Sequence, residues 1–246
     1  MSETPITALD VEAAFVRLRS VIRETPLHPS PRLSAATGAR VWVKREDLQP
    51  VRSYKVRGAY NLIAQLPVEQ LEKGVVCASA GNHAQGFAFA CAQLGLNGRV
   101  YVPGTTPRQK RDRIMALGAG RVEILVVGET YDDAAAAARE DAALTGAVAV
   151  PAFDHPDTMA GQGTTAIEIV EQLGKAPDLV VVPVGGAGML AGCGTWLQAR
   201  HRGTRIVGAE PTGAAGLAAA IEQGGPVTLD SIDTFVDGAA VRRAGD

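Results

Sequence analysis

The sequence predicts an α/β fold made of two open, doubly wound sheets with helices on both faces. Short apolar segments such as residues 179–184 alternate with helical segments, and continuously apolar strands are typical of parallel sheets that are covered on both sides. Hydrophobic residues make up 46% of the 246 residues, which is enough to fill a large core. We expect a smaller subdomain over residues 51–150, a larger one that combines residues 1–50 with 151–246, and a ligand cleft between them.

The elements can be assigned in chain order from the spacing of apolar residues and from the turn residues at their ends. Ser53, Thr106 and Thr130 are expected to cap helices, with Pro107 at the first position of the second helix and Gly95 after the end of an earlier one. We predict strands at residues 41–43, 74–78, 99–102, 122–127, 147–151, 179–184 and 205–209. We predict helices at residues 10–23, 53–66, 82–94, 107–117, 131–144, 157–173, 189–199 and 214–222.

The composition argues against several classes of function. The formal net charge is -2, so we expect no basic surface for nucleic acid or for a membrane. Residues 1–5 lack the basic start and the apolar stretch of a signal peptide, and no apolar run is long enough to span a bilayer, so we expect a cytoplasmic protein. Cys77, Cys91 and Cys193 match no metal-binding spacing and are expected to be small buried residues in a reducing compartment.

Lys55 is the first candidate for chemistry. It follows a strand-like stretch and a proline-containing bend, and it lies in the first turn of the predicted helix at residues 53–66. The helix dipole favours anions at that end and burial favours the neutral amine, so this position promotes a nucleophile that can form a Schiff base. The alternative is an ordinary solvated lysine, since lysines are almost never fully buried.

A second candidate site lies where the predicted strand at residues 74–78 leads into the helix at residues 82–94. Small residues at a helix start leave backbone amides free for an anion such as a carboxylate, and Asn82 adds a side-chain donor. The alternative is an ordinary capped helix whose glycines serve packing. The run reads Ser79-Ala80-Gly81-Asn82-His83-Ala84-Gln85-Gly86.

A third candidate site is a glycine-rich loop, Gly185-Gly186-Ala187-Gly188-Met189, between another buried strand and a helix. Such a loop can surround a phosphate with backbone amides. It lacks the lysine of a Walker loop and the glycine spacing of a dinucleotide fold, so it suits a single terminal phosphate. The alternative is a tight turn from strand to helix. An amine, a carboxylate site and a phosphate loop together match the needs of pyridoxal 5′-phosphate acting on an amino-acid substrate.

With these motifs, the chain resembles the fold-type II pyridoxal-phosphate enzymes, specifically the biosynthetic threonine ammonia-lyases of bacteria. The resemblance implies two open-sheet subdomains with the cofactor cleft between them. The matching runs are residues 44–49, 53–60, 78–86, 105–110, 153–163, 182–188 and 234–243.

The resemblance implies a role for each candidate residue. Lys55 would bind the cofactor covalently and later remove the Cα proton of the substrate, and Asn82 would hydrogen-bond the cofactor's 3′ oxygen. The substrate carboxylate would be surrounded by Ser79, Ala80, Gly81, Asn82 and His83. The phosphate would be bound by Gly185, Gly186, Ala187, Gly188 and Met189.

The implied reaction converts L-threonine to 2-oxobutanoate and ammonia, the first step of isoleucine biosynthesis, with L-serine as a slower substrate. The family's catalytic domain continues beyond the position of Asp246, so the resemblance implies a C-terminally truncated chain and, at full length, a homodimer or homotetramer. Ala187 and Met189 replace a glycine and a leucine that are usual in the family, and Tyr54 replaces a phenylalanine. We expect the loop to bind phosphate if the φ angle of Ala187 is negative.

Three alternatives stay open. Serine racemases share the fold, but they place a serine where this chain has Ala80, and their metal site uses an acid where this chain has Gly216 after Glu210-Pro211. A protein that binds the cofactor without turnover is the second alternative. A nicotinamide-dependent oxidoreductase is the third, and it is disfavoured because neither glycine-rich loop has dinucleotide spacing.

Overall fold

The computed structural model describes residues 6–245. The first five residues, where the sequence predicts no signal peptide, and Asp246 lie outside the described residues. Within the described range, the helices are α1 (Ala8–Leu18), α2 (Pro31–Thr37), α3 (Lys55–Ile63), α4 (Val68–Leu71), α5 (Asn82–Leu94), α6 (Arg108–Gly118), α7 (Tyr131–Thr145), α8 (Pro156–Leu173), α9 (Gly188–Arg200) and α10 (Gly216–Gln223). The strands are β1 (Leu27–Pro29), β2 (Trp42–Lys44), β3 (Val75–Ala78), β4 (Gly98–Val102), β5 (Val122–Val126), β6 (Val148–Ala149), β7 (Leu179–Pro183) and β8 (Arg205–Ala209). No helix in residues 6–245 combines the length and the apolar character needed to cross a membrane.

The first sheet has four parallel strands in the order β5-β4-β3-β6. Successive residues of a strand point to opposite faces. Val75 and Cys77 of β3 accordingly lie in a core shared with α3, α5 and α6, whereas Val76 packs with Ala134 and Ala138 of α7. Helices cover both faces, and the predicted α/β class is confirmed.

The second parallel sheet consists of β7 and β8 in the described residues, while β1 and β2 form a separate antiparallel pair. Val180 and Ile206 are paired across β7 and β8, and both pack against a core formed by α1, α8 and α9. On the opposite face, Leu179, Val181 and Val207 are 47%, 59% and 41% exposed. Helices therefore cover one face of this sheet within residues 6–245.

Glycines bring three helices into backbone contact. A Cβ atom on Gly161 of α8 would lie 2.6 Å from the carbonyl oxygen of Arg57 in α3. A Cβ atom on Gly192 of α9 would lie 2.0 Å from the carbonyl oxygen of Met159 in α8. Residues two apart on a helix point in nearly opposite directions, so α8 touches α3 on one side and α9 on the other. The division into subdomains at residues 50 and 150 stays a prediction, because α3 packs on both α5 and α8.

Of the three predicted N-cap residues, one was correct and two were wrong. Thr130 caps α7 as predicted, with its hydroxyl accepting from the amide of Asp133 and its own amide donating to that carboxylate. Ser53 and Thr106 do not cap, because α3 and α6 begin later, at Lys55 and Arg108. The hydroxyls of Ser53 and Thr106 are instead buried without a hydrogen-bond partner among the described residues.

The first helix also begins earlier than the spacing of apolar residues indicated. Thr7 and Asp10 form a capping box, in which each side chain accepts from the other residue's amide, and the helix ends at Leu18. The sequence signal was present, since a threonine followed three residues later by an acid is typical of a helix start.

Candidate active site

Lys55 is the first residue of α3, and its amine points toward the start of α8. Its Nζ donates a hydrogen bond to the carbonyl oxygen of Ala152 over 2.7 Å. It also lies 5.5 Å from the ring centre of Tyr54 and 5.8 Å from that of Phe153. Burial lowers the pKa of Lys55 to about 8. At that pKa a large fraction of the amine is neutral near pH 8, which is the form that attacks an aldehyde.

The loop between β3 and α5 presents free amides. Gly81 is the N-cap of α5, and the first hydrogen bond of the helix runs from the amide of Gln85 to the carbonyl of Gly81. The amides of the first helical turn therefore have no acceptor within the helix. Ser79 uses its hydroxyl to accept from the amide of Gly81 over 3.2 Å. A Cβ atom on Gly81 would meet nothing within 4 Å, so the space in front of this loop is open.

The side chain of His83 is buried, and its imidazole ring makes one hydrogen bond. Its Nε2 lies 2.7 Å from the carbonyl oxygen of Val150, while its Nδ1 has no partner among the described residues. Burial and the nearby charge of Lys55 lower the pKa of His83 to about 4, so the ring is neutral at physiological pH. Because a carbonyl can only accept, the single ring proton must lie on Nε2. His83 can contribute its backbone amide to the loop, while its side chain is bound to Val150.

Ala80 and Met189 have no charged or hydrogen-bond-donating side-chain atom to offer a ligand. Ala80 packs against the core of the four-stranded sheet, and Met189 packs against the core of the second sheet. What these residues can offer a ligand is the backbone. Asn82 differs, because its side chain is exposed, and its Nδ2 lies 3.8 Å from the position that a Cβ atom on Gly238 would occupy.

The glycine-rich loop turns from β7 into α9 through Ala187. The φ angle of this residue is +68°, so the negative value on which phosphate binding was made conditional is not found. A left-handed residue at the N-cap turns the chain from β7 into α9. Left-handed backbone costs an L-residue about 1–2 kcal/mol. The amide of Ala187 remains, and the first hydrogen bond of α9 comes only at Ala191, which leaves the earlier amides without a helical acceptor.

Phe153 joins this loop to Lys55. A Cβ atom on Gly186 would lie 2.3 Å from the ring of Phe153, and one on Gly188 would lie 2.7 Å from its carbonyl oxygen. Glycine is required at both positions for the loop to approach Phe153 so closely. Phe153 opens one of the runs that match the family, but nothing in the sequence pairs it with residue 186, so its contact with the loop could not be predicted.

Contacts between helices bring the three features together. A Cβ atom on Gly86 of α5 would lie 2.9 Å from the backbone nitrogen of Val56, so α5 touches the first turn of α3. Ala239 lies against Gly185, with 3.1 Å between its Cα and the position of an added Cβ. The short 3-10 turn Asp237–Ala239 thus borders both loops. Lys55, the loop before α5 and the loop before α9 therefore line one region.

Known proteins are similar to nearly the whole chain. Residues 18–246 match the family described as pyridoxal-phosphate dependent enzyme. The chain is 59% identical to the biosynthetic L-threonine dehydratase IlvA of Mycobacterium tuberculosis, over 99% of this chain and 58% of that protein. It is 55% identical to the protein of the same name from Corynebacterium glutamicum, over 98% of this chain and 56% of that protein.

Solved structures give the same result for the fold. Threonine deaminase isoform 2 from Solanum lycopersicum, in its processed form, has a TM-score of 0.90 and 39% identity, over 99% of this chain and 72% of that one. Maize serine racemase has a TM-score of 0.91 and 29% identity, over 97% of this chain and 71% of that one. The chain spans just over half the length of the curated relatives that it matches. Because the family match extends over all but its first 17 residues, the chain belongs to the family of pyridoxal-phosphate-dependent enzymes.

Proposed function

We propose that the chain is the cofactor-binding part of a threonine ammonia-lyase, which converts L-threonine to 2-oxobutanoate and ammonia and acts more slowly on L-serine. The observation that carries the proposal is the partly buried amine of Lys55 beside two loops with free backbone amides. Relatives named L-threonine dehydratase and threonine deaminase support this choice of substrate. We further propose a cytoplasmic location, a homo-oligomeric full-length protein, and the two subdomains predicted from the sequence.

The residues present fit pyridoxal 5′-phosphate. Lys55 would hold its aldehyde carbon, Asn82 would donate to its 3′ oxygen, and the amides of residues 185–189 would hold its phosphate. Gly186 has no room for a side chain because it touches Phe153. The groups that this loop can offer an anion are therefore its backbone amides. When bound, the cofactor draws electrons away from the substrate's Cα and makes its proton easier to remove.

The protein's own groups would then position the substrate and move one proton. The amides of Ala80, Asn82 and His83, just before and in the first turn of α5, would hold the substrate carboxylate, helped by the positive end of the helix dipole. The amides of Ser79 and Gly81 already donate, to the carbonyl oxygen of Tyr101 and to the hydroxyl of Ser79. His83 is neutral and fixed on Val150, so it adds no competing charge there. The Lys55 amine, whose pKa burial lowers to about 8, would remove the Cα proton in its neutral form, after which the β-hydroxyl can leave.

Racemisation of serine is the second candidate, and the similarity to maize serine racemase favours it. A racemase needs a second acid or base on the other face of Cα, and Ala80 has none to offer. Glu210, which the sequence analysis compared with a racemase metal ligand, is otherwise engaged here. Its two carboxylate oxygens accept from the amides of Leu217 and Ala218, over 2.8 and 2.9 Å, at the start of α10. These observations support elimination over racemisation.

Reductive labelling tests the proposal. The protein is incubated with pyridoxal 5′-phosphate, treated with borohydride, digested and sequenced by mass spectrometry. We expect the label on Lys55 and the loss of the visible absorption band in Lys55→Ala, with Lys175→Ala as a control at a lysine far along the chain. An oxo-acid assay with L-threonine separates an active lyase from a protein that only binds the cofactor. A label on a different lysine would refute the assignment.

A further inference from the structure

A buried ionic cluster lies directly behind Lys55. Arg57, two residues later, has no exposed surface. Its Nε and Nη2 donate to the two carboxylate oxygens of Glu46, both over 2.8 Å. Its Nη1 and Nη2 donate to those of Glu168, over 2.7 and 2.8 Å. Thr164 accepts a further bond from Nη1 at 3.0 Å, and Lys44 forms an ion pair with Glu168. We call Arg57, Glu46, Glu168 and Lys44 the Arg57 cluster.

The charges of the Arg57 cluster balance, with two cations against two anions. Burial acts to raise the pKa of Glu46, but the hydrogen bonds and charge of Arg57 outweigh it, and the pKa is lowered. Both carboxylates therefore act as acceptors for the same guanidinium. A buried ionic cluster of this kind is weak as a source of stability, because apolar residues of similar volume often serve as well. What a planar guanidinium adds is direction, since its donors bind two carboxylates at fixed angles.

The Arg57 cluster connects three separate parts of the chain. Glu46 lies in the segment before Lys55, Arg57 lies in α3 and Glu168 lies in α8. Each residue of a helix is rotated about 100° from the last, so Lys55 and Arg57 project from nearly opposite sides of the first turn of α3. Arg57 thus holds one side of this turn while Lys55 extends from the other to Ala152, just before α8. The first turn of α3 is therefore tied to α8 and the segment before it on both sides, by the Arg57–Glu168 ion pair on one and the Lys55–Ala152 hydrogen bond on the other.

We propose that Arg57 is a positioning residue for Lys55. By binding Glu46 and Glu168 together, it fixes the rotation of α3 about its axis, and so directs the Lys55 amine into the region between the two loops. This inference rests on the proposed function, in which Lys55 is the lysine that binds the cofactor.

The test measures how fast pyridoxal 5′-phosphate attaches to Lys55 in the folded protein. Arg57→Lys keeps the charge but loses the planar pair of bidentate contacts. We expect labelling of Lys55, trapped with borohydride and quantified by mass spectrometry, to slow at least tenfold. The matched control is Arg99→Lys, which breaks a partly buried pair with Asp141 in a different part of the fold. There we expect a change of less than twofold.

The pH profile of labelling separates positioning from a general loss of stability. A displaced Lys55 amine would reach solvent, so the midpoint should rise from about pH 8 toward the value of an exposed lysine, about 10.4. An unchanged rate and midpoint in folded Arg57→Lys would overturn the positioning role. If Arg57→Lys does not fold, Glu168→Gln replaces it and is judged by the same two results. Wild-type labelling on a different lysine would overturn the proposed function itself.

Discussion

Replacing Gly186 with alanine would place a methyl carbon 2.3 Å from Cδ1 and Cγ of the Phe153 ring. Carbon atoms attract best at about 3.5–4.0 Å, so either the ring or the loop must move by more than about 1 Å. The backbone of Phe153 is also in contact with Gly188, so the ring can give way only by rotating about its own side-chain bonds. Overpacking of this kind costs about 1–3 kcal/mol. If the strain falls on the bound state, cofactor affinity drops by about 5- to 150-fold, since each 1.4 kcal/mol is tenfold.

The assay is a titration of the apo-protein with pyridoxal 5′-phosphate, followed by visible absorbance, together with a thermal melt. Gly194→Ala, in the helix α9 that follows the loop, is the matched control, because its methyl group would meet only the Cδ1 atom of Ile206, at an ordinary 3.9 Å. We expect the control to bind within twofold of the wild type. The reasoning is refuted if Gly186→Ala binds the cofactor as tightly as the control does and melts at the wild-type temperature.

Four further outcomes are expected. Burial favours the neutral form of Lys55, so its reaction with pyridoxal 5′-phosphate should reach half its maximal rate near pH 8, and a midpoint above 9.5 would contradict this. Ala187→Gly should raise the free energy of unfolding by about 0.5–1 kcal/mol, because the relief of left-handed strain is worth more free energy than the entropy that glycine adds to the unfolded chain. A lower melting temperature than that of the wild type would contradict this. With Ala80 in place, L-serine should give pyruvate and no measurable D-serine by chiral chromatography. Gly192→Ala should lower the free energy of unfolding by about 1–3 kcal/mol or more in denaturant titration, because its methyl group would overlap the carbonyl oxygen of Met159. Unchanged stability would show that α8 and α9 can separate.

Features that depend on neighbouring residues could be predicted from the sequence. The helix α5 has the predicted bounds, residues 82–94, because small residues open it and a glycine in the left-handed conformation closes it. Strand β8 was also predicted with its observed bounds, and the capping box at Thr130 is formed. The α/β class and the family both followed from such local runs, and both are confirmed.

Features that depend on distant residues could not be predicted in this way. Arg57 and Glu168 are separated by 111 positions, and neither has a sequence neighbour that indicates their pairing. Ser53 looked like a helix cap, but Tyr54 has helical backbone angles without a capping hydrogen bond, and the hydroxyl of Ser53 is left buried. The sign of φ at Ala187 is set by the angle between β7 and α9, which is a property of the packed structure.

The backbone contacts of α8 with α3 and with α9 have a consequence for the distance between the parts of the candidate site. Lys55 is carried by α3 and the glycine-rich loop by the start of α9, and α8 separates the two helices by backbone contacts at Gly161 and Gly192. Side chains can change rotamer and so vary the distance between helices, whereas touching backbones cannot come closer. The distance from the backbone of Lys55 to the phosphate loop is thereby set by the width of one helix backbone. A rigid ligand with an aldehyde at one end and a phosphate at the other requires a constant distance of this kind, and thermal motion of side chains would change it little.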